Sequence, residues 1–166
     1  MQQPEATAKR LTRIIYVEDD DLIADVVTEL LTEAGYLIGV VGHGTLAYDT
    51  IAFKKPDLVI LDRSLPGMHG MEILHRLRTT PDTYLIPVLM LTAAGGEASI
   101  DEGLGAGADG YLVKPFDPDM LVRKVAKILG NSMFKHGRSR GLTELAPDLG
   151  NGPQIDSLTI CNSATC

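Results

Sequence analysis

The chain has 166 residues, of which 45% are hydrophobic and 22% are charged, and its formal net charge is −7. These values are typical of one globular domain in water, and the negative charge argues against a domain that binds nucleic acid non-specifically. Residues 1–13 are polar and lack the apolar segment of a signal peptide. Because no apolar run is long enough to span a bilayer, we expect a cytoplasmic protein with no membrane partner.

Five short apolar runs predict β-strands. They are Arg13–Val17, Leu37–Val41, Leu58–Leu61, Pro87–Leu91 and Gly110–Val113. Each run is continuous in its hydrophobicity and does not alternate between apolar and polar residues. This pattern is typical of strands that are covered on both faces of a sheet.

Helical patterns lie between the strands. In the first, apolar residues recur at helical spacing over residues 22–31, with Asp20 or Asp21 as the N-cap and Gly35 as the stop. Thr45 is the predicted cap of the second helix. Both helices are therefore expected to pack an apolar stripe on the sheet.

The remaining helical patterns differ in strength. Apolar residues in 73–77 predict a third helix, whereas the glycines in Glu97–Ala106 make the fourth weak. The last helix has Asp117 as its cap and Pro118 at its first position, and we expect it to stop at Gly130.

Alternating strands and helices with short connections predict a parallel sheet with right-handed crossovers. We therefore predict an α/β fold, a doubly wound five-stranded sheet with helices on both faces. Residues 11–130 form this domain, residues 1–10 are a polar N-terminal extension, and residues 131–166 are a flexible tail or linker.

Polar residues follow four of the five predicted strands. Glu18 and Asp19 follow the first, Asp62 ends the third, Thr92 follows the fourth, and Lys114 follows the fifth. Because the carboxyl ends of parallel strands meet at one edge of a sheet, we expect these side chains to lie together. Such a set of acids, a hydroxyl and a cation suits a site that binds a divalent metal and accepts a phosphoryl group.

These motifs resemble the receiver domain of two-component response regulators, including the chemotaxis regulators. The segments that carry the resemblance are Val17–Asp20, Asp62 with Leu65–Gly67, Leu91–Ala93 and Tyr111–Phe116. The resemblance extends from Leu11 to about Gly130 and implies a flavodoxin-like fold with strand order 2-1-3-4-5. We expect a single-domain response regulator, or a receiver fragment whose linker is the tail.

The resemblance implies a Mg²⁺ site. Asp19 and Asp62 are expected to bind the ion directly, Glu18 through water, and Ser64 through its backbone carbonyl. Carboxylate and carbonyl oxygens with retained waters are the ligands that Mg²⁺ prefers. Glu18 departs from the family pattern, which has an aspartate at this position, but it still supplies an oxygen.

The resemblance also assigns the phosphoryl chemistry. Asp62 is the expected phosphoacceptor, Thr92 and Lys114 are expected to bind the phosphoryl oxygens, and Thr92 with Tyr111 is expected to form the switch. The expected phosphoryl donor is a sensor histidine kinase or a phosphotransfer protein. We expect an unknown downstream protein target, no direct DNA binding, and no enzymatic activity beyond the protein's own phosphorylation and slow autodephosphorylation.

Two enzyme classes are alternatives. Gly42 and Gly44 open the second helix, and Asp62 follows about 20 residues later, as in a dinucleotide-binding βαβ enzyme. That alternative leaves Lys114 and the acidic pair without a role. A phosphohydrolase that uses an aspartyl phosphate commonly needs an acid two residues after the nucleophile, where this chain has Ser64.

Overall fold

The computed structural model describes residues 10–93 and 104–137 of the chain. The strands in this part are β1 (Arg13–Val17), β2 (Leu37–Val41), β3 (Leu58–Leu61), β4 (Val88–Thr92) and β5 (Gly110–Val113). The helices are α1 (Asp21–Glu33), α2 (Gly44–Lys54), α3 (Gly70–Thr79) and the C-terminal helix (Pro118–Gly137). None of the helices described is long and apolar enough to cross a membrane.

The five strands form one parallel sheet in the order β2-β1-β3-β4-β5, which confirms the predicted fold and strand order. Four strands have the predicted bounds, and β4 is shifted by one residue toward its C-terminus. In the sheet, β2 lies on one side of β1 and β3 lies on the other. The connection from β1 to β2 and the connection from β2 to β3 therefore run in opposite directions across the sheet. The carboxyl ends of β1 and β3 therefore flank the crevice where open α/β sheets bind their ligands.

Buried side chains pack on both faces of the sheet, because successive residues of a strand point to opposite sides. On one face, Ile15 and Val17 of β1 belong to a core cluster with residues of α2 and α3. On the other face, Ile14 and Tyr16 pack in a cluster with residues of α1 and the C-terminal helix. The central strand β3 is buried along its whole length.

The edge strand β2 departs from the prediction that every strand is covered on both faces. Leu37 and Val40 are about half exposed. Both β2 and β5 are edge strands, but β5 is buried along most of its length, so edge position alone does not set this exposure. A continuous apolar run in the sequence does not distinguish an edge strand from a central one.

Two of the predicted helix caps are confirmed. The Asp20 carboxylate accepts hydrogen bonds from the backbone N–H groups of Leu22 (3.0 Å) and Ile23 (3.2 Å) and so caps α1. Asp117 caps the C-terminal helix through the N–H of Met120, at 3.1 Å. Side-chain oxygens at this position satisfy N–H groups that have no partner within the helix.

The predicted start of α2 is wrong. The cap position is His43, which makes no capping side-chain bond, and Thr45 is already helical. The Thr45 hydroxyl lies 2.9 Å from Nδ1 of His43, so it has a partner other than a helix N–H.

The predicted end of the last helix is also wrong, because the helix runs through Gly130 to Gly137. A glycine inside a helix costs only about 1 kcal/mol relative to alanine. Buried Leu121 and Val125 anchor the helix on the sheet and offset that cost. The predicted fourth helix lies largely outside the described residues, which resume with helical Leu104, and the tail from residue 138 lies wholly outside them.

Candidate functional site

The predicted acidic residues lie at the crevice between β1 and β3. Val17 and Leu61 are register partners in the parallel ladder. The N–H of Asp62 donates to the Val17 carbonyl at 3.0 Å, and the N–H of Glu18 donates to the Val41 carbonyl at 3.1 Å. The backbone pairing therefore continues one residue beyond the strands and fixes where the two acids leave the sheet.

Glu18, Asp19 and Asp62 form an acidic cluster that can hold a metal ion. One carboxylate oxygen from each residue lies within 4.8 Å of those of the other two. Glu18 is 2% exposed and Asp62 is 6% exposed, whereas Asp19 is exposed to solvent. Buried like charges repel one another and require compensation by a cation. An all-oxygen donor set of this kind fits a hard divalent cation.

Lys114 supplies one compensating charge. Its Nζ donates to Asp62 Oδ2 at 2.7 Å and also to Glu18 Oε2, and its side chain is 12% exposed. Burial lowers the pKa of Lys114, but the hydrogen bonds and the charges of Asp62 and Glu18 outweigh that effect, so the pKa is raised overall. The side chain is therefore an ammonium at neutral pH. One positive charge beside three carboxylates leaves the acidic cluster with a net negative charge.

Tyr16 is a contact of the site that the sequence analysis missed. Its hydroxyl donates to Glu18 Oε2 at 2.6 Å, and its ring is fully buried. Burial raises the pKa of Tyr16, and the hydrogen bond to Glu18 and the nearby negative charges raise it further. A sequence signal was available, because a tyrosine in a buried strand needs a partner for its hydroxyl. Glu18, two residues later, leaves the chain on the same side of the strand.

The loop that follows Asp62 makes hydrogen bonds to the Asp62 carboxylate and to the backbone beside it. The Ser64 N–H donates to Asp62 Oδ1 at 3.1 Å, and the Gly70 N–H donates to the Arg63 carbonyl at 2.9 Å. A Cβ atom on Gly70 would lie 2.0 Å from the Asp62 carbonyl oxygen, so only glycine allows α3 to begin this close. The start of α3 thus braces the backbone that carries Asp62.

Gly44 of the dinucleotide-like pattern serves loop packing. The Gly44 N–H donates to the Pro66 carbonyl at 3.0 Å. A Cβ atom on Gly44 would lie 2.1 Å from the Met68 carbonyl oxygen. The start of α2 therefore packs on the loop that follows Asp62, and this contact accounts for the glycine at position 44 without a nucleotide.

The structure brings together Glu18, Asp19, Asp62 and Lys114. Thr92 ends β4 and pairs in register with Val113 of β5, while its side chain lies outside the described part of the chain. The role predicted for Ser64 belongs to its carbonyl, whereas the contact described involves its N–H.

The predicted switch residue Tyr111 is buried, at 5% exposure, in the core cluster shared with α2 and α3. Its backbone carbonyl accepts a hydrogen bond from Nζ of Lys124 on the C-terminal helix. Tyr111 therefore connects the core near the acidic cluster with the helix that covers β5. The Lys114–Pro115 peptide bond, at the end of the same strand, is cis.

Comparison with known proteins identifies the family of this site. The family model for the response regulator receiver domain matches residues 14–126. The DNA-binding response regulator MtrA of Mycobacterium tuberculosis is 40% identical over 113 residues, which are 68% of this chain and 48% of MtrA. The phosphate regulon transcriptional regulatory protein PhoB of Rhizobium meliloti is 38% identical over 119 residues, which are 72% of this chain and 52% of PhoB. The chain thus spans about half the length of these relatives.

Solved structures agree with this match. A putative response regulator from Chloroflexus aurantiacus is 38% identical, with a TM-score of 0.70 over 73% of this chain and 99% of that one. The receiver domain of the sensor histidine kinase PA1611 from Pseudomonas aeruginosa is 26% identical, with a TM-score of 0.68 over 73% of this chain and 99% of that one. That structure has a magnesium ion coordinated in its active site cleft.

The expectation of no direct DNA binding is wrong. The MtrA relatives are DNA-binding response regulators, and PhoB is a transcriptional regulatory protein. The expectation rested on the net charge of −7 of the 166-residue chain and on its interpretation as a single-domain regulator, whereas the matched 113 residues are only 48% of MtrA. The charge of one domain does not determine what the rest of a longer regulator binds. A sensor histidine kinase or phosphotransfer protein as the phosphoryl donor stays a prediction.

Proposed function

This chain belongs to the response regulator receiver family, and from that premise we propose that Asp62 accepts a phosphoryl group from a phosphohistidine in the presence of Mg²⁺. The observation that carries the proposal is the environment of the Asp62 carboxylate. It is buried, it lies within 4.8 Å of oxygens of Glu18 and Asp19, and it accepts a 2.7 Å hydrogen bond from Lys114.

The proposed reaction is a displacement at phosphorus. A carboxylate oxygen of Asp62 forms the new P–O bond while the P–N bond of the phosphohistidine breaks, and the electron pair of that bond stays on the imidazole nitrogen. Phosphoryl transfer depends mainly on positioning and on stabilisation of charge. Lys114 is already beside Oδ2 of Asp62, so its ammonium can interact with a phosphoryl oxygen without a large movement.

We propose Mg²⁺ as the cofactor, held directly by Asp19, Asp62 and the carbonyl of Ser64, and through water by Glu18. Support comes from the donor set, because three carboxylates lie together and the ion pairs described for Lys114 are with two of them, Glu18 and Asp62. The exposure of Asp19 gives the cluster an open side toward solvent. When bound, Mg²⁺ supplies positive charge that lowers the repulsion between Asp62 and an incoming phosphoryl group.

The proposed output is a change in a protein-binding surface. An acyl phosphate on Asp62 adds negative charge and acceptor oxygens, which Thr92 and Tyr111 sense as a switch pair. Tyr111 lies on β5 and is linked through its carbonyl to Lys124, so a shift of this tyrosine reaches the C-terminal helix. The surface consists of β5, that helix and the segment before β5. Phosphorylation then favours one of two existing states.

We further propose that the only reactions catalysed by this domain are its own phosphorylation and slow autodephosphorylation. Position 64, where aspartyl-phosphate hydrolases commonly have an acid, is a serine. The proposed limits of the receiver domain are residues 11–130, with segments 1–10 and 131–166 flanking it. The cytoplasmic location stays a prediction.

Intact-mass measurement after incubation with phosphoramidate and Mg²⁺ tests the proposal, because this donor has a P–N bond like that of phosphohistidine. We expect the mass of one phosphoryl group on the wild type and none on Asp62→Asn. Asp57→Asn is the matched control, since Asp57 precedes the same strand at its opposite end, where it pairs with Arg10 at 3.0 Å. A phosphorylated Asp62→Asn protein would refute the assignment.

A further inference from the structure

The buried hydroxyl of Tyr16 makes a contact that the proposed function does not use. It donates to Glu18 Oε2 at 2.6 Å, and the same oxygen accepts from Nζ of Lys114. Two donors therefore occupy Oε2, which leaves Oε1 as the oxygen of Glu18 that faces no described donor. The carboxylate is held in one orientation by groups from two different strands, β1 and the end of β5.

Glu18 needs such support more than a shorter acid does. A glutamate has one more methylene and one more rotatable bond than the aspartate of the family pattern, and fixing that bond costs conformational entropy. Mg²⁺ in turn requires near-ideal octahedral geometry, whereas Ca²⁺ tolerates flexible and irregular ligand sets. Because Glu18 is proposed to hold a water of the Mg²⁺ shell, a loosely held carboxylate would displace that water and so reduce affinity for Mg²⁺ more than affinity for Ca²⁺.

We propose that Tyr16 is a positioning residue that orients the Glu18 carboxylate and makes the acidic cluster selective for Mg²⁺ over Ca²⁺. This inference rests on the proposed function, since it assumes that Glu18 acts in a metal site. Packing alone does not explain a tyrosine here. The ring lies in the core cluster beside Ile14 and Leu58, where a phenylalanine fills the same space without burying a hydroxyl.

The test is calorimetric titration of the wild type and of Tyr16→Phe with Mg²⁺ alone and with Ca²⁺ alone. Loss of an outer hydrogen bond to a direct metal ligand typically weakens metal binding about 10- to 100-fold. Glu18 acts through water, so we expect a smaller effect, with the dissociation constant for Mg²⁺ rising about fivefold. The constant for Ca²⁺ should change by less than about twofold, because Ca²⁺ tolerates a mobile ligand.

Tyr48→Phe is the matched control. Its hydroxyl also has a hydrogen-bond partner, Thr80 Oγ1 at 3.0 Å, and its side chain is half-buried, but it lies between α2 and α3. We expect wild-type constants for both cations in this variant. An equal loss of Mg²⁺ and Ca²⁺ binding in Tyr16→Phe would indicate a general structural effect and overturn the inference.

Glu18→Asp provides a second, independent readout. The shorter carboxylate is withdrawn from the Tyr16 hydroxyl, so adding Tyr16→Phe to Glu18→Asp should have no further effect on Mg²⁺ binding. Such non-additivity is the signature of two residues acting through one contact. Additive losses would overturn the inference even if the proposed function holds.

The role of Tyr16 and the proposed function of Asp62 can each be overturned separately. Wild-type affinity and selectivity in Tyr16→Phe, with normal phosphorylation of Asp62, would overturn only the role of Tyr16. Failure of the wild type to bind Mg²⁺ and to accept a phosphoryl group would overturn the proposed function and the inference together.

Discussion

The ammonium of Lys114 lies 2.7 Å from the Asp62 carboxylate although the two residues are 52 positions apart in the chain. The contact exists because β3 and β5 end at the same edge of a parallel sheet, with β4 between them. Lys114 also contacts Glu18 at the end of β1, so a single cation connects the ends of three strands. Its loss should therefore affect the chemistry of the site and the stability of this edge of the sheet.

Lys114→Met should slow phosphorylation of Asp62 by phosphoramidate. Removing one preorganised group that stabilises developing charge typically costs about 100- to 1000-fold in rate, and we expect an effect near the lower end. The measurement is the initial rate of mass gain in Mg²⁺. Lys55→Met, which removes an exposed lysine paired with Asp82 at 3.4 Å, is the control and should keep the wild-type rate. A wild-type rate in Lys114→Met would remove the lysine from the mechanism.

The contribution of Lys114 to stability should disappear in alkaline solution. Its pKa is raised in the folded protein, so the contribution is complete below the unfolded pKa of about 10.4 and is lost as pH rises through the higher folded value. The difference in unfolding free energy between the wild type and Lys114→Met should thus be constant up to about pH 9 and shrink above about pH 10.5. Urea unfolding across this range measures it. A difference that grows with pH would contradict the assigned ion pairs.

Gly70→Ala should damage both the fold and the site. The new Cβ would lie 2.0 Å from the Asp62 carbonyl oxygen, and backbone atoms cannot move aside cheaply. Forcing an atom into a packed site typically costs about 1–3 kcal/mol, and we expect the upper half of that range together with slower phosphorylation. Gly130→Ala is the control, since its Cβ meets no atom within 4 Å and it should stabilise the helix by about 1 kcal/mol. Urea unfolding of both variants gives the comparison, and an unchanged Gly70→Ala protein would refute the bracing role of α3.

Thr92→Ala should allow Asp62 to accept a phosphoryl group but should weaken the conformational change that follows. We expect the variant to accept a phosphoryl group on Asp62, because the acids and Lys114 are intact. The response should be weak, because the hydroxyl expected to bind a phosphoryl oxygen is absent. Amide chemical-shift changes in β5 and the C-terminal helix on phosphorylation provide the measurement. A full wild-type response would exclude Thr92 from the switch.

Much of the scaffold was predictable because apolar runs mark buried parallel strands directly. The runs before Glu18, Asp62 and Lys114 gave the correct strands, and the shared edge of a parallel sheet then placed these residues together. The start of α2 was not predictable from Thr45, because the hydroxyl has His43 as a competing partner. Gly130 did not end its helix, because packing of the preceding turns outweighs the low propensity of one glycine.

The contact between Tyr16 and Glu18 shows what a residue-by-residue analysis of motifs leaves out. In the sequence, Tyr16 belongs to the apolar run of its strand and Glu18 to the acidic pair that follows it. Strand alternation places Tyr16 and Glu18 on the same side of β1, but how far the glutamate reaches toward the hydroxyl is not encoded in a motif. The exposure of Leu37 and Val40 is likewise absent from the sequence pattern, because a continuous apolar run does not distinguish an exposed strand from a covered one.

Chemical trapping of the acyl phosphate tests the central claim most directly. Borohydride reduces an aspartyl phosphate to homoserine, which peptide mass spectrometry locates to a single residue. After incubation of the wild type with phosphoramidate and Mg²⁺, we predict homoserine at position 62 and at no other acidic position. Homoserine at another aspartate, or none at any position in a protein that has gained a phosphoryl group, would contradict the account.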